Sequence, residues 1–439
     1  MNDNIGQAGD APQAVRLIEV GNHRMRALRT PERALCGITN QRKNVVVATE
    51  AGQHAAGNVA ASDDQQLLHG AILPGSDISE KAMAYQVTIQ DSQRTFLAEP
   101  DETILAAALR QGVKLPYGCR EGACGTCRGR VLLGQVEHCE AQLTALSEAD
   151  RQAGWALFCC ARACSNLSIE CREAAAGNDT PIRTLPARIV RLTRAAPDVM
   201  LVDLKLPSGD RLEFRAGQYI DILLGEGRRR AFSLANSPQT DGCLQLHVRH
   251  VVGGRFTDRL FGQTKERDIL RLRGPFGSFF LRDAPDKPAV LVAGGTGFAP
   301  IKAIVEQAIA EGNARALHVY WGARRRVDLY LLELAERWAR QHSNVRFVPV
   351  LSDSPKGECW RGRTGLVHAA VMADWPQLGG CQVYVCGSPA MVAASRRDFL
   401  AHCGLPEEEF FADSFDFAAD TLEAIGASDD AEERVEDHA

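Results

Sequence analysis

Cys119-Arg120-Glu121-Gly122-Ala123-Cys124-Gly125-Thr126-Cys127 places three thiols at the spacing C-x4-C-x2-C, and a candidate fourth, Cys159, lies downstream in Leu157-Phe158-Cys159-Cys160. This is the ligand spacing of a 2Fe-2S cluster. Two irons bridged by sulfides need four thiolates converging from several sides. A tight loop of small residues supplies three, and a distant segment must supply the fourth. Gly118, Gly122 and Gly125 let backbone N–H groups turn toward the sulfurs and stabilise their negative charge. Disulfides are disfavoured because nothing marks the chain as secreted. Structural zinc usually joins two close Cys/His pairs, and this triple has no second pair at a finger-like distance.

The rest of the composition sets the frame for that loop. A chain of 439 residues is long enough for about three domains. With 45% hydrophobic and 24% charged residues it has the balance of a globular protein. A net charge of -5 gives no reason to expect nucleic acid as a partner. No run of about 18 apolar residues is present, so no membrane span is expected. Fourteen cysteines without a basic-then-apolar signal segment point to the reducing cytoplasm, where thiols stay free or hold metal.

Outward from the loop, three patterned regions follow one another. Residues 1–82 lack a period and are expected to be a disordered leader, or sequence upstream of a true start at Met83. Glu80-Lys81 is encoded by purines alone, as a ribosome-binding site would be, and intact mass of the native protein decides between the two. Residues 83–174 read as an α+β unit. Its strands are expected at 84–90, 94–98, 131–136 and 166–170, with a helix capped by Asp101. A Gly/Asn/Asp/Pro linker follows. Residues 183–285 then carry short alternating strands at 187–194, 199–206, 218–224, 230–234 and 243–250, the spacing of a small antiparallel barrel. From 286 to 417, apolar strands (289–293, 318–322, 345–350, 382–386) alternate with helices, as in a doubly wound parallel sheet. Residues 418–439 are acidic and expected to form a disordered tail.

Within this order sit motifs that gain force from one another. Gly294-Gly295-Thr296-Gly297-Phe298-Ala299-Pro300 leaves a buried strand and opens a helix, the context a dinucleotide loop requires. Gly253-Gly254-Arg255-Phe256-Thr257 stands at a helix N-terminus, where unpaired N–H groups favour an anion. Arg230-Ala231-Phe232-Ser233 resembles the R-x-[YF]-S flavin motif, and Cys386-Gly387-Ser388-Pro389 the C-G-x-P signature, of the ferredoxin–NADP reductase superfamily. Over residues 83–417 the chain resembles bacterial oxygenase-type reductases of that superfamily that carry an N-terminal plant-type ferredoxin (β-grasp) domain.

That resemblance implies a multidomain fold: a ferredoxin domain, an antiparallel β-barrel flavin domain and an α/β nucleotide domain. It implies three cofactors: a 2Fe-2S cluster, FAD, and NADH (favoured) or NADPH. Cys119, Cys124, Cys127 and Cys159 would hold the cluster. Cys159 is preferred to Cys160 by counting back from a C-x-x-x-P stretch, in which Ala163 here replaces the proline. Arg230 would neutralise a phosphate, Phe232 would cover the flavin ring, and Ser233 would reach its N5 region. Gly253, Gly254 and Thr257 form the second flavin element. Gly274 and Gly277 mark the turn toward the nucleotide domain. Gly294, Gly295, Thr296 and Gly297 receive the dinucleotide, with Thr296, Cys386 and Gly387 near the site of hydride transfer and Phe415 as the C-terminal aromatic over the flavin. The implied activity passes electrons from NAD(P)H through FAD and the cluster, one at a time, to a protein acceptor. That acceptor is expected to be a sugar dehydrase or an oxygenase component; a redox sensor without turnover is the reading of another class. Arg120, Arg128 and Arg130 make the loop rim basic, and they are expected to face an acidic patch on the flavin domain or the partner.

Overall fold

The structure, a computed structural model, describes residues 84–139, 141–173, 180–240, 242–353 and 360–416. The expected leader, the start at Met83 and the acidic tail lie outside the described residues.

The first domain is built on a five-stranded sheet of order β2-β1-β7-β3-β5: β1 (Tyr85–Ile89), β2 (Thr95–Ala98), β3 (Arg128–Leu133), β5 (Trp155–Leu157) and β7 (Leu167–Glu170). β1 and β7 run parallel, and the inward-facing Val87, Ile89, Leu167 and Ile169 pack against the helix α1 (Ile104–Arg110). The cap of α1 is Thr103, whose hydroxyl accepts from the Ala106 N–H at 3.2 Å, and not Asp101 as expected. The expected strand 131–136 is interrupted: Gly134 takes φ 96, so the chain leaves β3 and re-pairs as β4 (Val136–His138) with β6 (Ala161–Ala163). A short helix α2 (Glu148–Gln152) completes the domain.

The barrel has strands β8 (Arg183–Ala196), β9 (Val199–Lys205), β10 (Tyr219–Gly225), β11 (Arg228–Ser233), β12 (Cys243–Arg249) and β13 (Ile269–Phe276), in the order β11-β10-β13-β8-β9-β12. A bridge between Leu234 and Leu246 joins the two ends. β13 was not expected, because its Gly274-Pro275 end reads as a turn, yet it pairs with both β10 and β8 and fills the gap in the sheet. The helix α3 (Arg255–Gly262) plugs one end through Phe256 and Leu260.

The third domain is a six-stranded, wholly parallel sheet of order β17-β16-β15-β14-β18-β19. Its strands are β14 (Ala289–Gly294), β15 (Leu317–Ala323), β16 (Val345–Leu351), β17 (Arg363–Thr364), β18 (Gln382–Gly387) and β19 (Phe410–Ser414). Helices α4 (Phe298–Ala310), α5 (Leu332–Gln341), α6 (Val367–Asp374) and α7 (Pro389–His402) cover its faces. Strand order reverses beside β14, so a crevice opens beyond the carboxyl ends of β14 and β18, the place where such sheets receive ligands. The edge strand β19, absent from the sequence reading, carries Asp413 and Ser414 to that same end.

Candidate functional site

The four cysteines converge in two pairs. The thiols of Cys119 and Cys124 share a hydrogen bond, as do those of Cys127 and Cys159, and all four are free. Two pairs of thiols suit two irons. The loop is built to accept negative sulfur. The N–H groups of Glu121 and Ala123 point at the Cys119 Sγ at 3.5 and 3.4 Å. Gly122, at φ 72, lies so close to Ala141 and the Cys160 Sγ that a Cβ would stand 3.0 and 2.9 Å from them. The hydrogen bond from Cys119 draws the Cys124 thiol down to about 6, while Cys119 itself is pushed up by that partner and by burial. Cys160 stays beside the set, with its sulfur 3.5 Å from that of Cys159.

One wall of a cleft between the barrel and the nucleotide domain is Cys119 itself. The opposite walls carry Arg230, Phe232 and Ser233 from β11, Gly254 at the N-cap of α3, Thr257 in its first turn, and Phe415 just beyond β19. Residues expected to hold a flavin from three separate stretches thus surround one space. The Ser233 Oγ is buried and has no hydrogen-bond partner, as does the Ser414 Oγ nearby, so the cleft presents polar atoms that a bound group would satisfy. Phe232 is held by Phe256, with ring centroids 5.3 Å apart. Gly253 departs from the expectation. Its N–H is taken by the Asp258 carboxylate at 3.1 Å and it does not line the cleft, so it is not free to meet an anion there. Gly274 and Gly277 do not line the cleft; they pack on Ile220 and the Tyr219 ring, where a Cβ would come within 2.8 and 2.9 Å. Arg249, overlooked in the sequence, lines the cleft and lays its guanidinium 3.2 Å from where a Gly295 Cβ would be. Its only sequence signal is its place at the end of an alternating strand.

Gly294 to Gly297 leave β14 as a tight turn into α4. A Cβ on Gly297 would lie 2.1 Å from the Cys386 carbonyl oxygen, so only glycine lets α4 approach β18 there. Gly294 and Gly387 both pack on Met391. Thr296 is half-buried at this crest, whereas the Cys386 side chain is wholly enclosed, 0% exposed, in the core with Trp321 and Tyr384. Trp321 donates from Nε1 to the Gly295 carbonyl at 2.9 Å and stacks on Phe298 at 3.7 Å, which fixes the turn from below.

The cluster loop touches both other domains. Arg120 forms a two-pronged ion pair with the buried Asp221 on β10 at 2.8 and 2.7 Å. The Tyr219 hydroxyl donates to the Gly118 carbonyl at 2.9 Å, and Tyr117 and Ser278 exchange bonds of 2.8 to 2.9 Å. Toward the nucleotide domain, Thr126 donates to the Ala412 carbonyl at 2.5 Å. Asp413 faces Gly118 and lines the cleft; burial, with Cys124 close by, pushes its carboxyl up to about 8. Of the three rim arginines only Arg120 meets an acid on the flavin domain. Arg128 instead pairs with Asp150 of its own domain at 2.6 Å and lies over Trp155.

A thiol-lined loop opening into the cleft of a barrel, beside a doubly wound sheet, defines an NAD(P)H-dependent iron–sulfur flavoprotein. Family models match all three parts: a 2Fe-2S iron-sulfur cluster binding domain over residues 87–164, an oxidoreductase FAD-binding domain over 186–281 and an oxidoreductase NAD-binding domain over 291–397. The chain is 38% identical, over 76% of its length and 99% of the relative, to CDP-6-deoxy-L-threo-D-glycero-4-hexulose-3-dehydrase reductase of Yersinia pseudotuberculosis serotype I (strain IP32953). It is 37% identical, over 77% and 96%, to phenol 2-monooxygenase, reductase component DmpP, of Pseudomonas sp. (strain CF600). Among solved structures, that of the Amycolatopsis cytochrome P450 reductase GcoB is similar with a TM-score of 0.60 and 37% identity, covering 75% of this chain and 98% of that one. The chain belongs to the iron–sulfur flavoprotein reductases of dehydrase and oxygenase systems, within the ferredoxin–NADP reductase superfamily. It is an NAD(P)H oxidoreductase whose cofactors are a 2Fe-2S cluster, FAD and a nicotinamide dinucleotide. No helix among the described residues is long and apolar enough to cross a membrane.

Proposed function

We propose that this reductase delivers single electrons to a dehydrase acting on a nucleotide-linked deoxysugar; the Yersinia relative is by name a reductase of such a dehydrase. The observation that carries the order of carriers is Cys119 on the wall of the cleft lined by Arg230, Phe232 and Ser233. In this reading Arg230 binds a flavin phosphate, Phe232 and Phe415 enclose the ring, and the unpartnered Ser233 Oγ meets its N5 edge. Gly294 to Gly297 cradle the dinucleotide, Thr296 stands beside the nicotinamide, and the Cys386-Gly387 segment backs it. When bound, the three cofactors convert one hydride into two single electrons. The protein orients them and keeps water and oxygen from the junction. NADH is the expected donor: the Arg325 N–H donates to the Asp328 carboxylate at 2.9 Å and its guanidinium stands 4.0 Å from the same group, which draws one cation of the Arg324–Arg326 group away from a 2′-phosphate. The cytoplasm is the proposed setting, since free thiols and a cluster both persist there.

The alternative acceptor is an oxygenase component, because the Pseudomonas relative serves one by name. Cys124→Ser tests the relay. It should abolish cytochrome c reduction through the cluster and leave NAD(P)H-driven ferricyanide reduction at the flavin; equal loss of both would overturn the order of carriers. Reconstitution of the holoprotein with a purified dehydrase and with an oxygenase, each scored by NADH consumed per product formed, separates the two acceptors.

A further inference from the structure

Arg120 follows the cluster ligand Cys119 directly, and its backbone is left-handed at φ 63, a conformation that long side chains seldom adopt. A residue held there against its preference indicates that its side chain is used. The guanidinium runs along the domain boundary with 15% of its side chain exposed, and meets Asp221, whose carboxylate is 2% exposed, through two bonds of 2.8 and 2.7 Å. Its planar group lies 4.2 Å from the Phe276 ring centroid and 5.4 Å from that of Tyr219. Tyr219 in turn bonds to Gly118, on the other side of Cys119. Arg229, 3.6 Å from Asp221, is the second cation at this carboxylate and lines the flavin cleft. The segment 118–120 is thus fixed at both ends to β10 and β13, with Cys119 between them facing the cleft.

We propose that Arg120 and Asp221 are a positioning pair that sets the rate of flavin-to-cluster electron transfer by seating Cys119 on the cleft wall. This rests on the reading that the cleft lined by Arg230 to Ser233 holds the flavin. In the step concerned, the flavin, reduced by hydride from NAD(P)H, loses one electron and the oxidised cluster gains it. No covalent bond changes at Arg120 or Asp221. Transfer falls steeply with separation, so a loosened loop slows this step alone. A buried carboxylate that loses its arginine is left with a poorly matched second cation, which makes either half of the pair sensitive to substitution.

Anaerobic stopped-flow mixing of the holoenzyme with NADH, followed at flavin and cluster wavelengths, tests the pair. Asp221→Asn and Arg120→Ala should slow cluster bleaching by about tenfold or more, and Arg120→Lys should recover part of the rate. Flavin bleaching and ferricyanide reduction should be unchanged. Iron and sulfide content and the electron paramagnetic resonance spectrum of the dithionite-reduced cluster should also be unchanged, while amide exchange of residues 117–122 rises. Unaltered cluster bleaching in Asp221→Asn overturns the proposal. So does loss of iron in Asp221→Asn, because the pair would then hold the cluster together and not place it. If the unsubstituted holoenzyme shows no flavin bleaching by NADH, the underlying reading of the cleft fails instead, and the two failures are distinct.

Discussion

The cluster loop is gripped on two faces by opposite means. On the flavin side, side chains reach across: Arg120 to Asp221, Tyr219 to Gly118, and Ser278 to Tyr117. On the nucleotide side, apart from the Thr126 hydroxyl that donates to the Ala412 carbonyl, the loop comes close because side chains are missing. Gly118 lies against Asp413 and Ala412, and Gly125 faces Arg396, whose Nη1 would stand 3.3 Å from an added Cβ. One face is therefore sensitive to deletion of groups and the other to their addition. Charged and polar side chains hold the loop to β10, and close backbone contact binds it to β19.

The sharpest way to break this contrast is to add one methyl group. A Cβ on Gly118 would stand 2.9 Å from the Asp413 Oδ1, 3.1 Å from the Cys124 Sγ and 3.2 Å from the Ala412 carbonyl oxygen. Asp413 is 3% exposed and has little room to withdraw. Gly118→Ala should destabilise the protein by about 1–3 kcal/mol and lower the iron content by displacing Cys124. Chemical denaturation and iron analysis check both. A stable variant with full iron would show that this face is loosely packed and that the loop depends on the flavin side alone.

Tyr219→Phe probes the opposite face by removing a single donor. The Gly118 carbonyl would lose its 2.9 Å bond while the ring, packed on Phe276 at 5.7 Å, stays. A loss of about 1 kcal/mol is expected, with iron retained and a modest rise in amide exchange at Gly118 and Cys119. Equal sensitivity to Gly118→Ala and Tyr219→Phe would erase the distinction between the faces.

The same contrast explains what was legible in the sequence. Local spacing revealed the three loop cysteines, the Arg230–Ser233 strand and the Gly294–Gly297 turn, because each chemistry needs neighbouring residues on one short segment. The partners of those segments were invisible. Arg120 and Asp221 stand 101 positions apart and Thr126 and Ala412 stand 286 apart, so no period or motif links them. The rim arginines were expected to face an acidic patch together, but which arginine crosses a boundary depends on backbone direction. The left-handed turn at Arg120 aims it outward to β10, while Arg128, the first residue of β3, is drawn to α2. β13 escaped because Gly274-Pro275 imitates a turn, and β19 because an edge strand of five residues carries little pattern.

Arg128 supplies the smallest effect and the control for the pair at Arg120. Its partner Asp150 closes a capping box on α2: the Ser147 hydroxyl and N–H donate to the carboxylate at 2.7 and 3.0 Å, and the Asp150 N–H donates to the Ser147 Oγ at 3.1 Å. Burial alone would raise the Asp150 carboxyl, but the Ser147 bonds, and then Arg128, hold it below the usual carboxylate value. A folded pKa below the unfolded one means that the ionised form is the stabilising one. Its contribution is complete above the unfolded value of about 4 and is lost as pH falls through the lower folded value. Asp150→Asn should cost about 1 kcal/mol at neutral pH, with the difference from the unsubstituted protein shrinking as the medium is acidified below about pH 4. Thermal denaturation across that range measures it. Because Arg128 and Asp150 lie within one domain, flavin-to-cluster transfer in Asp150→Asn should match the unsubstituted rate. A slowed transfer would mean that rim arginines act through their charge near the cluster and not through the surface they bind.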